Sequence, residues 1–219
     1  MANHNLIKKM NLEPIPDDEI KKGILITINS AQSLIQDGKL LYTNNRFARA
    51  FSMFQFASEE LGKALILFDI LLMRKLKRKI NYKMRSKEIT DHQVKHRYSV
   101  GIEFTAISMI YSDDTEDRKE ILKSVIKKLQ SSKIYNDLKN NSIYVNLQND
   151  KFKIPEEYIN KEIAEAIMID VDQRFQIYSR DIDERLERID EIALKYIDFE
   201  KDPYFDKNFI EDLKQFIES

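Results

Sequence analysis

The sequence predicts an all-α protein, a bundle of about five long antiparallel helices. The 219 residues include only four Gly and four Pro, far fewer than a sandwich or barrel needs for its turns. Apolar residues recur at spacings of three and four through two long Pro-free stretches, as on one face of a helix. We expect a single helical domain over residues 1–219, with a lead at 1–16 and a C-terminal extension at 199–219.

Each element follows from a local pattern. After Pro16, three carboxylates (Asp17, Asp18 and Glu19) favour a helix N-terminus. Alternation of apolar and polar residues at 142–154 predicts a small extended excursion or hairpin. The fifth helical region is long enough to break near Tyr178–Ser179. The predicted helices are 17–42, 45–79, 87–111, 116–140 and 156–198, with a short last helix at 209–217.

Composition excludes several classes of protein. The chain has no Cys, which excludes a disulfide framework, thiolate-zinc fingers and a cysteine nucleophile. The longest apolar run, at 64–73, is interrupted by Asp69 and is too short to span a bilayer. Nothing at the start of the sequence resembles a signal peptide. We therefore expect a cytoplasmic protein without a membrane partner.

The near-neutral net charge conceals an asymmetry. Residues 1–155 contain 27 Lys and Arg against 18 Asp and Glu, a net charge of +9. Residues 156–219 contain 9 against 19, a net charge of −10. Opposite charges on the two parts suggest neutralisation within the molecule or across a dimer, and an anionic partner would meet the N-terminal part.

A pair of glutamates interrupts the second predicted helix. On a helical wheel centred on Ala57, Glu60 lies about 60° from the centre of the apolar stripe. Glu59 points away from that stripe and is expected to pair with Lys63 as a surface ion pair. Glu60 is therefore the functional candidate, and the alternative is a glutamate satisfied by a neighbouring helix.

Two histidines, His92 and His96, are four residues apart and are predicted to share the inner face of the third helix. Such spacing can ligate zinc if a third ligand, for which Glu60 is a candidate, arrives from another helix. The glutamate of a His-Glu-x-x-His motif is absent. Packing in the core, or a hydrogen bond to a carboxylate, is the alternative to this metal site, and we expect no metal.

A basic cluster covers residues 74–87, with eight Lys and Arg and no acidic residue. Such a cluster can engage RNA phosphates, and the alternative is a solvated helix end. No Gly-rich phosphate loop, nucleophile elbow or dinucleotide fingerprint occurs, so no nucleotide or other cofactor is expected. The predicted nucleic-acid-binding residues are Arg74, Lys75, Lys77, Arg78, Lys79 and Lys83.

Three separated motifs resemble one family. Residues 57–64, Ala-Ser-Glu-Glu-Leu-Gly-Lys-Ala, resemble the A-x-E-E-L-G-K-A signature of AbiV-type abortive phage infection proteins, members of the HEPN superfamily of helical bundles. Residues 92–95 resemble the H-x-x-K element of that family. Residues 141–146, followed by Pro155, resemble its G-L-Y-V-D segment, with Ser142 for Gly and Asn146 for Asp. Order and spacing agree over residues 20–160.

The resemblance implies a HEPN bundle, usually a homodimer, that acts in bacterial defence by shutting down the infected cell. Many HEPN proteins are metal-independent ribonucleases with an Arg four to six residues before a His, and Arg85 and His92 have six residues between them. RNA cleavage needs proton transfer and a cation for the phosphorane charge. The candidate catalytic residues are Glu60, Lys63, Arg85, His92, Lys95 and Tyr144.

Two functions remain open at this level. The first is an effector ribonuclease that lowers translation by cutting RNA. The second is a non-catalytic defence protein that binds a phage-encoded protein or the translation machinery through residues 142–154 and the acidic C-terminal helices. The same Glu, His and Lys residues would also suit a buried polar cluster that fixes helix packing.

Overall fold

The computed structural model describes residues 12–13, 15–110, 123–124 and 127–200. Within these residues the chain is a helical bundle with one small hairpin, which confirms the all-α prediction. The predicted helix at 209–217 and the start of the one predicted at 116–140 lie outside the described residues. In chain order, the elements are α1 (Asp17–Thr43), α2 (Phe47–Lys75), α3 (Tyr82–Thr90), α4 (His92–Ile110), α5 (Ser132–Asn141), β1 (Asn146–Gln148), β2 (Lys151–Lys153), a 3₁₀ turn (Pro155–Glu157), α6 (Lys161–Ser179), α7 (Ile182–Glu187) and α8 (Ile189–Glu200).

Helix α2 is the centre of the bundle and contacts α1, α4, α6 and α8. Its three alanines at seven-residue spacing, Ala50, Ala57 and Ala64, are fully buried, so neighbouring helices approach its backbone closely. The contact between α1 and α2 is equally tight at Gly38, where an added Cβ would lie 2.7 Å from the Phe54 ring. Side chains on more than one side of α2 are therefore buried.

The helix predicted at 87–111 is in fact two helices, because α3 begins at Tyr82, five residues before the predicted start, and the chain bends at Asp91 before α4. Asp91 has an extended backbone, with ψ of 117°, and its carboxylate accepts hydrogen bonds from the backbone N–H groups of Gln93 and Val94. This is the arrangement of an N-cap residue. Asp91 therefore begins a new helix, and His92 is the first residue of α4.

The remaining boundaries follow similar rules. Helix α2 ends at Lys75, four residues before the predicted end, and Lys77 adopts a φ of +54°. The predicted break near Tyr178–Ser179 is confirmed, and a further change of direction occurs at Asp181, with φ of +53°. The predicted hairpin is also present, with β1 and β2 antiparallel.

Candidate active site

Glu59 on α2 is the centre of a buried ion cluster that joins three helices. Its side chain is 7% exposed and contacts nitrogen atoms of three basic residues. Lys139 Nζ of α5 lies 2.5 Å from Oε1, Lys95 Nζ of α4 lies 3.2 Å from Oε2, and His92 Nδ1 lies 2.5 Å from Oε2. Lys95 and Lys139 are themselves buried. We call these four residues the Glu59 cluster.

The charge state of Glu59 determines which ring nitrogen of His92 carries the proton. Burial by itself would raise the pKa of Glu59, but hydrogen bonds from Lys139 and His92, with the charges of Lys139 and Lys95, outweigh burial and lower this pKa. An ionised carboxylate only accepts hydrogen bonds, so Nδ1 of His92 carries the proton donated to Glu59. The neutral imidazole then has its lone pair on Nε2, and 56% of the His92 side chain is exposed.

A close helix crossing brings the cluster together. A Cβ added to Gly62 would lie 1.8 Å from the carbonyl oxygen of Lys95, so any side chain there would collide with the α4 backbone. Gly62 lies one helical turn after Glu59 and therefore on a nearby part of the α2 surface. The glycine of the E-E-L-G-K motif thus allows α4 to approach closely enough for His92 and Lys95 to contact Glu59.

Lys139 is not among the site residues that the sequence predicts. The carbonyl oxygen of Lys139 accepts a hydrogen bond from Ser142 Oγ at 2.6 Å, and Ser142 Oγ lies 2.6 Å from Ser52 Oγ of α2. These contacts attach the end of α5 to α2 and direct Lys139 inward. Ser132 and Lys139 are seven residues apart and both are buried, so they share the inner face of α5, although a Ser and a Lys at this spacing do not predict burial from the sequence. Ile134 of the same helix is 61% exposed.

A second polar cluster begins at the residue before Glu59. Ser58 Oγ donates to Ser99 Oγ at 3.0 Å, accepts from Arg174 Nη1 at 3.2 Å and lies 3.4 Å from His96 Nδ1. Arg174 Nη2 also donates to Asp170 Oδ2 at 2.5 Å. We call these five residues the Arg174 cluster. Burial, together with the charge of Arg174, lowers the pKa of His96 to about 3, so His96 is neutral.

The expectation that Glu59 points outward and pairs with Lys63 is wrong. Lys63 Nζ lies 2.5 Å from Oε1 of Glu60 instead, and the Glu60 side chain is 20% exposed. A helical wheel with a single buried face does not describe α2, because α1 covers one part of its surface and α4 covers another. Glu59 therefore has the contact with His92 that was expected of Glu60. The inner position predicted for His92 is also wrong, since its side chain is largely exposed.

Arg85 belongs to a third set of contacts. Its guanidinium pairs with Asp69, donates to Glu88 Oε2 at 3.0 Å and contacts the Tyr98 hydroxyl at 2.5 Å. Asp69 lies ten residues beyond Glu59 on α2, which is about 15 Å along a helix. Within the described residues, no contact connects Arg85 to the Glu59 cluster. The bend at Asp91 separates the helix of Arg85 from that of His92.

Of the six predicted nucleic-acid-binding residues, two pair with other parts of the protein and four are exposed. Arg74 donates to Leu12 O at 2.9 Å and to Ile15 O at 2.6 Å, and it contacts Asp17 at 3.1 Å. It therefore fixes the segment before α1, and Lys75 also pairs with Asp17, at 3.3 Å. The exposed members of the predicted set are Lys77, Arg78, Lys79 and Lys83.

Two further predictions concern Tyr144 and metal. Tyr144 is 62% exposed, and among the described residues no contact joins it to the Glu59 cluster. Nδ1 of His92 contacts Glu59, whereas Nδ1 of His96 contacts Ser58, so the two histidines belong to different clusters. The described residues contain no group of three metal-ligating side chains. The metal alternative therefore lacks a third ligand in this part of the chain.

The comparisons with known proteins add one positive finding. The family model HEPN_AbiV, whose description is AbiV, matches residues 19–176. No match was found among curated proteins or solved structures. Over the described residues, no helix combines the length and apolar character that crossing a bilayer requires. The matched range includes both polar clusters.

Proposed function

Because the chain belongs to the AbiV family of HEPN proteins, which indicates abortive-infection defence, we propose that it is a defence effector that cleaves RNA. One observation supports this proposal above the others. A half-exposed imidazole, that of His92, is held through Nδ1 by a buried carboxylate that two buried lysines keep ionised. An imidazole oriented in this way is suited to proton transfer at neutral pH.

The proposed reaction uses the 2′-hydroxyl of RNA as the nucleophile. His92 Nε2 takes the 2′-hydroxyl proton while the 2′-oxygen attacks the adjacent phosphorus. The bond from phosphorus to the 5′-oxygen then breaks, and that oxygen takes a proton from solvent water. The His92 imidazolium afterwards releases its proton to solvent, which restores the neutral ring. The products are a 2′,3′-cyclic phosphate and a 5′-hydroxyl. Glu59 stabilises the imidazolium that forms, as a buried carboxylate does for a catalytic histidine.

The cation for the phosphorane charge is assigned to Lys63. It follows Glu59 by one helical turn, its side chain is 29% exposed, and it is oriented by Glu60. Lys95 and Lys139 are buried against Glu59, and their role is to keep that carboxylate ionised. The exposed Lys77, Lys79 and Lys83 are assigned to the RNA backbone.

The test is RNA cleavage by purified protein in the presence of a chelator. Wild-type protein and Gln93→Ala, a neighbouring control, should produce fragments ending in 2′,3′-cyclic phosphate, whereas His92→Ala should not. All three proteins should unfold at nearly the same temperature, because the His92 side chain is largely exposed. Intact RNA with folded wild-type protein, or equal cleavage by His92→Ala, would overturn the ribonuclease proposal.

The second candidate is a non-catalytic defence protein. The pairing of Glu59 with two buried lysines favours it, since a fully paired cluster can fix helix packing without chemistry. In that case His92→Ala would leave phage resistance intact in a plaque assay. A phage-encoded protein or a component of the translation machinery would instead be recovered from infected cells and identified by mass spectrometry.

A further inference from the structure

Helix α2 is enclosed by its neighbours except along one narrow line. From Ala48 to Lys63, every residue of the helix is buried except five. These five are spaced alternately by four and three residues, so they follow one line along the helix surface. We call them the α2 stripe, and its members are Arg49, Met53, Phe56, Glu60 and Lys63. The stripe is therefore a strip of accessible surface on an otherwise buried stretch of helix.

The stripe passes beside the Glu59 cluster. Lys139 Nζ lies 5.5 Å from the centre of the Phe56 ring and 2.5 Å from Oε1 of Glu59. Phe56 lies one helical turn before Glu59, and Lys63 lies one turn after it. A ligand that extends along the stripe therefore lies next to the carboxylate that holds His92.

The two apolar members of the stripe, Met53 and Phe56, lie outside the hydrophobic core. Phe47, Leu65 and Phe68 of the same helix are also partly exposed, and each of them packs against the core. Among the described residues, those that pack against the core in this way do not include Met53 or Phe56. We call these two residues the apolar pair. The Phe56 ring thus offers a broad apolar surface that the core does not use.

The charges near the stripe favour an anionic ligand. In the Glu59 cluster one carboxylate faces two ammonium groups, so the four residues carry a net charge of +1 even with a neutral His92 ring. Arg49 is exposed, and the described residues provide no acidic partner for it. Glu60 and Lys63 compensate each other. Surplus positive charge therefore lies on both sides of the apolar pair.

This arrangement suits a strand of RNA better than a second helix. A helix that packs along such a line needs an apolar residue at nearly every position, whereas only two of the five members are apolar. Single-stranded nucleic acid instead places its bases on aromatic rings and its phosphates on adjacent cations. We propose that Phe56 stacks on a nucleobase adjacent to the scissile phosphate and that Arg49 binds a phosphate further along the same strand.

This role of Phe56 depends on the ribonuclease function proposed above and adds the contact that places the substrate. Stacking on the ring holds one nucleotide beside the Glu59 cluster, so that the neighbouring phosphate lies within reach of Nε2 of His92. Met53, one helical turn from Phe56, extends the apolar surface under the base. Every base has an aromatic face, so the contact does not select a particular base.

The test measures, by fluorescence anisotropy, how tightly the purified full chain binds two short probes. One probe is 2′-O-methyl RNA, which lacks the attacking hydroxyl, and the other is the same backbone without bases. Phe56→Leu should weaken binding of the first probe about tenfold, the loss expected for one stacked base, and should leave binding of the second unchanged. Phe56→Tyr, which keeps an aromatic ring, should bind both probes as the wild type does.

The matched control is Phe68→Leu, because Phe68 is a partly exposed phenylalanine of the same helix that packs against the core. This substitution should not change the affinity for either probe. Circular dichroism should show that Phe56→Leu unfolds at nearly the wild-type temperature, since the Phe56 ring lies outside the core.

Equal affinity of the wild type and Phe56→Leu for the base-bearing probe would overturn the proposal, and so would a wild type that binds neither probe. A Phe56→Leu variant that changes only the oligomeric state would assign the stripe to a second copy of the chain and would also overturn it. The probes report binding alone. Base-dependent binding that requires Phe56, in a protein that leaves RNA intact, would therefore support the base contact and overturn only the ribonuclease proposal.

Discussion

The Glu59 cluster and the Arg174 cluster begin at consecutive residues of α2 and both use a histidine of α4, yet their surroundings differ. In the first, the His92 side chain is 56% exposed and a buried carboxylate orients it. In the second, His96 is 3% exposed, and the ring is neutral and lies 4.9 Å from that of Tyr135. The comparison teaches that exposure, and not four-residue spacing, separates a histidine suited to proton transfer from one that belongs to the core.

The largest effect is expected from Glu59→Gln. The amide would leave two buried ammonium groups, those of Lys95 and Lys139, without their counter-ion, and removal of one partner from a buried ion pair costs about 3–5 kcal/mol. Glu60→Gln is the matched control, and its cost should stay below about 1 kcal/mol because the Glu60 pair is partly solvated. Urea unfolding measures both values. Equal losses would contradict the assignment of Glu59 as the buried partner.

A smaller loss is expected from Gly62→Ala. Its new Cβ would meet a backbone carbonyl that cannot rotate away, so α4 must shift at a cost of about 3 kcal/mol. Gly101→Ala is the control on α4 itself, since an added Cβ has no heavy atom within 4 Å. That substitution should raise the unfolding free energy by up to about 1 kcal/mol through helix propensity. Thermal unfolding of the two variants compares them directly, and a neutral Gly62→Ala would contradict the close crossing.

The smallest effect is the pH dependence of stability that arises from His96 of the Arg174 cluster. The pKa of His96 is about 3 in the folded protein and near 6.5 when the chain is unfolded. Below pH 6.5 the unfolded chain therefore binds a proton that the folded chain does not, and folding stability is lost as the pH falls. The slope should approach about 1.4 kcal/mol per pH unit between pH 6.5 and 5.

Comparison with variants isolates this slope. His96→Asn should lose it, whereas His92→Asn should retain it. Urea unfolding at several pH values gives the free energies. A slope that persists in His96→Asn would assign the acid sensitivity to another group and would contradict the neutral state of His96.

Much of the fold could be predicted from the sequence. The start of α1 follows from three carboxylates after Pro16, and the hairpin follows from alternation around a polar turn. Both features depend on residues that are close in the sequence, so the sequence pattern predicts them well. The bend at Asp91 was missed because an apolar stripe continued across it, although an aspartate is a good helix-capping residue.

The site was harder to predict because it depends on contacts between distant parts of the chain. The sequence predicts a carboxylate of α2 and an imidazole of the next long helix as site residues, but it points to Glu60, whereas Glu59 makes the contact with His92. A wheel with one inner face cannot represent a helix that is buried on several sides. Lys139 lies 80 residues from Glu59 in sequence, and only the fold shows that they touch.

The central claim is that Glu59 holds the imidazole of His92 through Nδ1. The sequence has three histidines, so ¹⁵N spectra of histidine-labelled protein are simple to assign. In neutral His92 the proton should reside on Nδ1, with Nε2 unprotonated, and Glu60→Gln should not change this. A His92 ring with its proton on Nε2, the form that free histidine prefers in water, would contradict the account.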